Sequence, residues 1–334
     1  MDANRNGAID FLRGMAVILM VLVHATAYFL SDPFVHKVWD YTHIIVPLFV
    51  YCSAFAVFSQ NAIKPFTFPS LFKRFKRLLL PYYLYVFGFI GVALITRSTS
   101  QLGNSVTSLI LLGEGRDVGW LVVLFSYLVV LIPTIHFLYL KNKILYAMLG
   151  YVSISVAFLF LVYVPEVSFR LTMWLPWTAF LWASILIVRM EKTGRMLLGA
   201  GMIALIVFII SWDLRSLTDL SFVLTENKYP PNSLYLSYGI LGILTMYGVF
   251  MLLERINLYR THIHKVFLFL SKHSYALFFI HFLLVKFFVD LKIHSLMGPW
   301  WFFTVLLGGS SVILVIFEKV VEKRWGLLSL DVKK

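Results

Sequence analysis

Residues 11–30 read FLRGMAVILMVLVHATAYFL, and this stretch decides what kind of protein the chain forms. Arg13 and His24 are its only basic residues, and it contains no acidic residue. A helix of about 20 mainly apolar residues is as long as the hydrocarbon core of a bilayer is thick. The stretch therefore predicts a transmembrane helix that carries two unusual polar side chains.

The composition of the whole chain points the same way. Of 334 residues, 60% are hydrophobic and 13% are charged, whereas a soluble domain carries about 25% charged residues. So little polar surface could not cover the apolar surface of a soluble protein. This excludes an ordinary soluble domain and a disordered chain. The single cysteine, Cys52, excludes an internal disulfide, and we expect it to pack rather than to act as a nucleophile.

Apolar stretches recur along the chain with only short polar loops between them. We therefore predict an all-α fold, a polytopic bundle of about ten transmembrane helices that forms a single domain over residues 1–334, with no appended soluble domain. The predicted spans are 11–30, 43–60, 78–96, 119–140, 144–164, 170–189, 196–212, 233–253, 266–289 and 300–320.

The basic residues predict the orientation of this bundle. Twenty of the 29 Lys and Arg residues lie on the side of the predicted bundle that carries the N-terminus, and seven lie on the other side. Cytoplasmic loops are enriched in Lys and Arg, so we expect both termini to be cytoplasmic. The net charge of +13 then mainly records orientation, and no nucleic-acid partner is expected. An alternative is a cleaved signal peptide, because Ala25-Thr26-Ala27 is similar to a cleavage site.

Arg13 and His24 carry the strongest indication of chemistry. Eleven residues of helix bring their side chains to within about 20° of one face and separate them by about 16 Å along the axis. If Arg13 lies at the cytoplasmic surface, His24 lies near the middle of the membrane, where an ionisable residue usually faces a cavity or a partner. Histidine is the commonest general base. The alternative is a histidine that only packs against another helix.

The N-terminal stretch resembles the acyltransferase-3 family of membrane enzymes. Its members typically read Leu-Asp-x-Leu-Arg-Gly-x-Ala, followed by a histidine within the helix, and the matching residues here are Asp10, Leu12, Arg13, Gly14, Ala16 and His24. The family transfers acyl groups, most often acetyl, from coenzyme A to hydroxyls. The resemblance implies an acyltransferase that uses acetyl-coenzyme A, or another acyl-coenzyme A, as donor co-substrate. It further implies a carbohydrate or glycolipid acceptor, membrane lipids as partners, and the bacterial cytoplasmic (inner) membrane.

Other stretches resemble the same family. They are 46–55 (VPLFVYCSAF), 73–83 (KRFKRLLLPYY), 271–282 (SKHSYALFFIHF) and, more weakly, 228–232 (KYPPN). One departure is clear, because many members have a histidine two residues before Trp120, and this chain has Val118 there. A role for that loop in catalysis or binding is thereby in doubt.

The resemblance assigns roles to the donor side of the reaction. His24 would be the general base, and Arg13 would bind coenzyme phosphate or organise the thioester, with Asp10 pairing to Arg13. The basic residues before the third span, Lys73, Arg74 and Arg77, would bind the phosphates of the coenzyme. Alternatively, Asp10 and Arg13 only form a pair at the membrane surface, and the basic cluster only fixes topology and contacts lipid headgroups.

The candidate acceptor-binding residues are Ser53, Glu114, Trp120, Ser274, Tyr275 and His281. Ser271, Ser274 and His281 form a polar stripe on the ninth predicted span, which indicates either hydrogen bonding between helices or a cavity wall. If the stripe is functional, we expect Tyr275 or His281 to orient the acceptor or to supply an oxyanion donor. His43 and His273 lie near span ends, where a solvated or interfacial role is expected.

Two other questions remain open at the level of sequence. A transporter or carrier of a glycan or lipid-linked substrate could use the same polar residues as a pathway, although no internal repeat supports it. The oligomeric state is open, a homo-oligomer included. No cluster of His, Cys and Asp has the spacing of metal ligands, so no metal is expected.

Overall fold

The computed structural model describes residues 6–61, 67–98, 118–163, 166–190, 194–218 and 220–325. Within these ranges the protein is all-α, and its only β feature is an isolated bridge between Lys228 and Pro231. The helices are α1 Gly7–Thr26, α2 Pro33–Tyr41, α3 Ile45–Phe58, α4 Phe68–Ile95, α5 Val118–Lys141, α6 Lys143–Val162, α7 Trp174–Met190, α8 Gly194–Ser216, α9 Ser233–Arg255, α10 His264–Lys272, α11 Ser274–Asp290 and α12 Pro299–Trp325.

The number of membrane spans agrees with the sequence. In the described part of the chain, nine helical segments are long and apolar enough to cross a membrane, and the bent pair formed by α10 and α11 brings the number to ten. α2 and α3 together form one of these segments, Pro33–Phe58. The predicted polytopic all-α membrane bundle is confirmed.

The ninth predicted span differs from its prediction. It was expected to run from 266 to 289, but the chain bends by 79° between α10 and α11. Contacts on both sides of the bend hold it: Ser271 donates a hydrogen bond to Asp10, and His273 pairs with Glu318 at 3.0 Å. Ser271 therefore packs against α1 and does not continue the stripe of Ser274 and His281. Hydropathy averaged over the whole span did not reveal the bend, although four polar residues, 271–274 (SKHS), lie at it.

α1 is the central helix of the bundle. It packs against α2, α3, α9, α10, α11 and α12. In its most apolar stretch 72% of the residues are buried, against 11% in the stretch of α8. The Asn6 side chain caps its first turn by accepting hydrogen bonds from the backbone amides of Ala8 and Ile9. α1 therefore holds its side chains in fixed positions at the centre of the molecule.

A close approach of α1 to α10 depends on Gly14. A Cβ atom at this position would lie 2.6 Å from a ring carbon of Phe267 and 3.3 Å from its backbone oxygen. The Phe267 ring in turn packs on Phe11, with ring centroids 4.7 Å apart.

The first helix is shorter than the predicted span. Because α1 ends at Thr26 rather than at residue 30, His24 lies in its last turn.

Candidate active site

Two histidines from different helices form a hydrogen-bonded pair. His24 lies in the last turn of α1 and His281 lies in the middle of α11, where it is completely buried. The His281 Nε2 atom lies 3.1 Å from His24 Nδ1, and His281 Nδ1 lies 3.1 Å from the backbone oxygen of Leu277.

The backbone oxygen of Leu277, at the end of this series of hydrogen bonds, determines the tautomers of both histidines. A carbonyl oxygen only accepts hydrogen bonds, so Nδ1 of His281 must carry the proton and donate it to Leu277. In neutral His281, Nε2 is then the acceptor, and Nδ1 of His24 must donate to it. Neutral His24 is left with an unprotonated Nε2, which is the atom that a general base uses.

His24 faces a cavity of about 220 Å³, which we call the outer cavity. Four helices (α1, α3, α5 and α11), the turn between α2 and α3, and the segment between α8 and α9 contribute its walls. It is lined by Met20, Val23, His24, His43, Ile45, Val46, Phe49, Val118, Trp120, Leu121, Lys228, Tyr229, Phe278 and Phe282.

His43 in the outer cavity corrects the sequence-based expectation. We expected it to be solvated or interfacial, but only 5% of it is exposed. Its Nδ1 lies 3.0 Å from the backbone oxygen of Asp40, so Nδ1 donates there, and its ring meets Trp39 edge-on. The turn between α2 and α3 carries His43 into the cavity wall, and the residue type alone does not indicate this.

Lys228 is a residue of the outer cavity that the sequence analysis missed. Its Nζ atom lies 4.7 Å from the ring centre of Trp120 and 5.0 Å from that of Tyr229, so both rings hold the ammonium group by cation–π contacts. Burial lowers the pKa of Lys228 to about 7. Its only indication in the sequence is weak, a lysine beside Tyr229 and two prolines. Folding of the loop brings it close to His24.

A second cavity of about 520 Å³, the inner cavity, lies on the Arg13 side of the outer cavity. It brings together five of the residues that the sequence analysis selected, Arg13, Ser53, Arg77, Ser274 and Tyr275. The Arg13 Nη2 atom donates to the backbone oxygen of Cys52 at 3.1 Å. The Tyr275 hydroxyl donates to the backbone oxygen of Leu78 at 2.5 Å, and the Ser53 hydroxyl donates to that of Phe49 at 2.7 Å.

The two cavities adjoin each other. Phe49, Leu121 and Phe278 line both of them, so the apolar side chains of these three residues form a wall between the two cavities. A histidine pair on one side and two arginines on the other side thus flank a common wall.

A family model described as an acyltransferase domain matches residues 6–319 of the chain. The chain belongs to the acyltransferase-3 family. The match spans nearly the whole chain, from the cap of α1 to the last turns of α12, and it establishes the protein as a membrane acyltransferase in general. No curated protein and no solved structure matches the chain.

Three remaining candidates of this acyltransferase-3 protein, Asp10, Lys73 and Arg74, do not line either cavity. Asp10 is buried and accepts a hydrogen bond from the Ser271 hydroxyl at 2.6 Å. Lys73 and Arg74 precede Arg77 on α4, but neither lines the inner cavity, and Lys73 is exposed. Glu114 lies outside the described residues. Among the described residues, no group of three His, Cys, Asp or Glu side chains could hold a metal ion.

Proposed function

We propose that the protein transfers an acetyl group from acetyl-coenzyme A to a hydroxyl of a carbohydrate or glycolipid, with His24 as general base. The membrane would be the cytoplasmic membrane of a bacterium. One observation carries the proposal: the histidine pair and the pair of arginines lie on opposite sides of the wall formed by Phe49, Leu121 and Phe278.

The inner cavity suits the donor. Coenzyme A is highly anionic, and a guanidinium group offers donors in a geometry that matches phosphate. Arg77 is exposed and can meet a phosphate at the mouth of the cavity. Arg13 is held by the backbone oxygen of Cys52, so its position is set before the donor binds. Lys73 and Arg74 would add positive charge around this entrance.

The outer cavity suits the acceptor hydroxyl. His24 Nε2 can take the hydroxyl proton, because His281 occupies the other nitrogen and fixes the orientation of the ring. The rings of Trp120 and Tyr229, which meet edge-to-face with their centres 5.0 Å apart, add aromatic surface to the wall against which a sugar ring would pack. The acyl end of the donor has to reach the outer cavity to meet the acceptor, and the small volume of that cavity favours a short acyl group over a long one.

The reaction then balances without a metal or an oxidant. His24 removes the proton from the acceptor hydroxyl while the acceptor oxygen forms a bond to the thioester carbonyl carbon. The electron pair of the carbonyl moves to its oxygen and then returns as the carbon–sulfur bond breaks. The coenzyme leaves as a thiolate, and this thiolate takes the proton from His24. The products are the ester and free coenzyme A.

The test uses the purified protein in lipid vesicles with acetyl-coenzyme A labelled in the acetyl group. A glycolipid extract from the envelope of the host cell serves as acceptor, and mass spectrometry identifies the product. We expect label in the glycolipid and a mass increase of one acetyl group. If no label moves from acetyl-coenzyme A to any component of the extract, the proposal is wrong.

A further inference from the structure

Lys228 is placed in the outer cavity without an ionic partner in the described part of the chain. Its ammonium group contacts the faces of Trp120 and Tyr229, and none of the ion pairs formed by the described residues includes it. A charge in such a place is costly unless something compensates for it. The ring contacts compensate in part, and the ammonium group, which lines the cavity, can still donate hydrogen bonds to a molecule that fills it.

Acyl transfer needs a donor at the place where negative charge develops. The thioester carbonyl oxygen becomes an oxyanion during attack, and a fixed hydrogen-bond donor there is usually a large contribution to catalysis. The two donors that the sequence suggested are engaged elsewhere. The Tyr275 hydroxyl donates to Leu78, and His281 donates to Leu277 while accepting from His24.

Of the side chains around the outer cavity, Lys228 fits this task best. Its charge is close enough to act electrostatically on both His24 and His43. Hydrogen bonds from a charged donor are about twice as strong as those between neutral groups. The indole N–H of Trp120 is neutral, and the Nδ1–H of His43 is used by the backbone oxygen of Asp40.

We propose that the Lys228 ammonium group donates a hydrogen bond to the carbonyl oxygen of the acyl donor as negative charge develops there. The proposal rests on the proposed function, because it needs acyl transfer at His24. Lys228 keeps its proton throughout: the electron pair of the carbonyl moves onto the oxygen, the hydrogen bond strengthens, and the pair returns when the thiolate leaves. No further reactant is needed.

The role requires a charged Lys228, and this gives a dependence on pH. Because the pKa of Lys228 is lowered to about 7, the ammonium form is lost as the pH rises through this value rather than near 10. The titratable groups that face it are His24 from α1, His43 from the turn before α3, and Tyr229 beside it. We expect the rate of acetyl transfer to fall as the pH rises above about 7.

The experiment compares Lys228→Met, Lys228→Arg and a control, Lys143→Met. Lys143 lies 3.4 Å above the ring of Tyr139 and is exposed, so it matches the cation–π contact without lining either cavity. In the acetyl-transfer assay we expect Lys228→Met to lower kcat by about 10²-fold to 10³-fold. The KM for acetyl-coenzyme A should change less than about twofold, and Lys143→Met should match the wild type.

Lys228→Arg tests whether the positive charge at this position is what matters, because it keeps the charge and changes the shape of the side chain. Arginine does not lose its proton below pH 12, so this variant should recover part of the lost kcat and should lack the decline above pH 7. Size-exclusion profiles and melting temperatures show whether the variants fold. A folded Lys228→Met protein with wild-type kcat would overturn the proposal, as would one whose only defect is a higher KM for the acceptor.

Failure of this inference can be told apart from failure of the proposed function. If the wild type transfers label, His24→Ala does not, and Lys228→Met transfers it at the wild-type rate, acyl transfer stands and the role of Lys228 is wrong. If the wild type transfers no label from acetyl-coenzyme A, the proposed function fails first, and the role of Lys228 falls with it.

Discussion

Two histidines, His24 and His136, both lie towards the C-terminal end of a long apolar helix, but their surroundings differ. Both lie on transmembrane helices and bind a group from another helix or its end. His136 Nε2 lies 3.0 Å from the backbone oxygen of Gln60, just beyond α3, where Arg189 also donates at 2.6 Å. Arg189 further donates to the Asn61 side chain at 2.6 Å. This cluster closes the end of a helix and lines neither cavity.

The difference between His24 and His136 shows which feature distinguishes a functional site from a structural contact in a bundle of membrane helices. A buried ionisable residue is by default a candidate for function, but His136 donates to a single carbonyl group, that of Gln60 just beyond the end of α3. His24 is bound through Nδ1 to another imidazole, and its ring also faces a cavity. The useful criterion is therefore a titratable atom directed at open space, with its orientation set by a partner.

The largest expected effect comes from replacing His24. His24→Gln keeps a polar side chain but removes the base. We expect kcat for acetyl transfer to fall by about 10³-fold or more, because general bases contribute about 10²-fold to 10⁴-fold. His281 also loses the imidazole that it positions. Single-turnover transfer of labelled acetyl measures this. The matched control, His136→Gln, should keep kcat per folded molecule and lower the melting temperature. Equal loss of kcat in both variants would contradict the distinction.

His281 provides the next effect, because it acts on the substrates only through His24. His281→Leu removes the acceptor for His24 Nδ1, so the His24 ring loses its fixed tautomer and orientation, and we expect kcat to fall by about 10²-fold. His281→Gln still offers an acceptor oxygen and should recover a measurable part of this loss. The KM for acetyl-coenzyme A should stay unchanged in both. If leucine and glutamine give the same kcat, the hydrogen bond to His281 does not position the base.

A smaller effect is expected on the donor side. Arg77→Gln removes a charge that lines the inner cavity, and we expect the KM for acetyl-coenzyme A to rise about tenfold. This corresponds to about 1.4 kcal/mol, close to the lower limit of what a hydrogen bond to a charged group contributes. High salt should reduce the difference. Lys76→Gln, on the exposed neighbouring position of α4, is the control. If both variants bind equally well, Arg77 only fixes topology.

The sequence predicted the parts of the site that lie on regular helices. Arg13 and His24 share a face of α1 because of helical periodicity, and Ser274 and His281 share a face of α11 for the same reason. It did not predict His43 or Lys228, because a turn and a loop bring them to the cavity, and their positions depend on contacts between distant segments. One such contact is the hydrogen bond from the backbone amide of Leu224, in the loop that carries Lys228, to the side chain of Asp40 at 3.0 Å.

The smallest effect on kcat is expected at Gly14. In contrast to the replacement of His24, a substitution at Gly14 should lower the stability of the protein and leave kcat unchanged. Gly14→Ala places a methyl group 2.6 Å from the Phe267 ring, which Phe11 holds in place, so the α1–α10 contact must open. Overpacking of this kind costs about 1–3 kcal/mol. Gly91→Ala on α4 is the control, since nothing lies within 4 Å of the added atom.

Alanine at Gly91 should leave stability unchanged or raise it by about 0.5–1 kcal/mol, because glycine is unfavourable within a helix. Melting curves of the purified proteins separate the two variants, and kcat per folded molecule should equal the wild-type value in both. A Gly14→Ala protein that melts like the Gly91→Ala protein would show that α10 is not packed on α1 through Gly14. A folded Gly14→Ala protein with a large loss of kcat would mean that the contact between α1 and α10 also sets the position of His24.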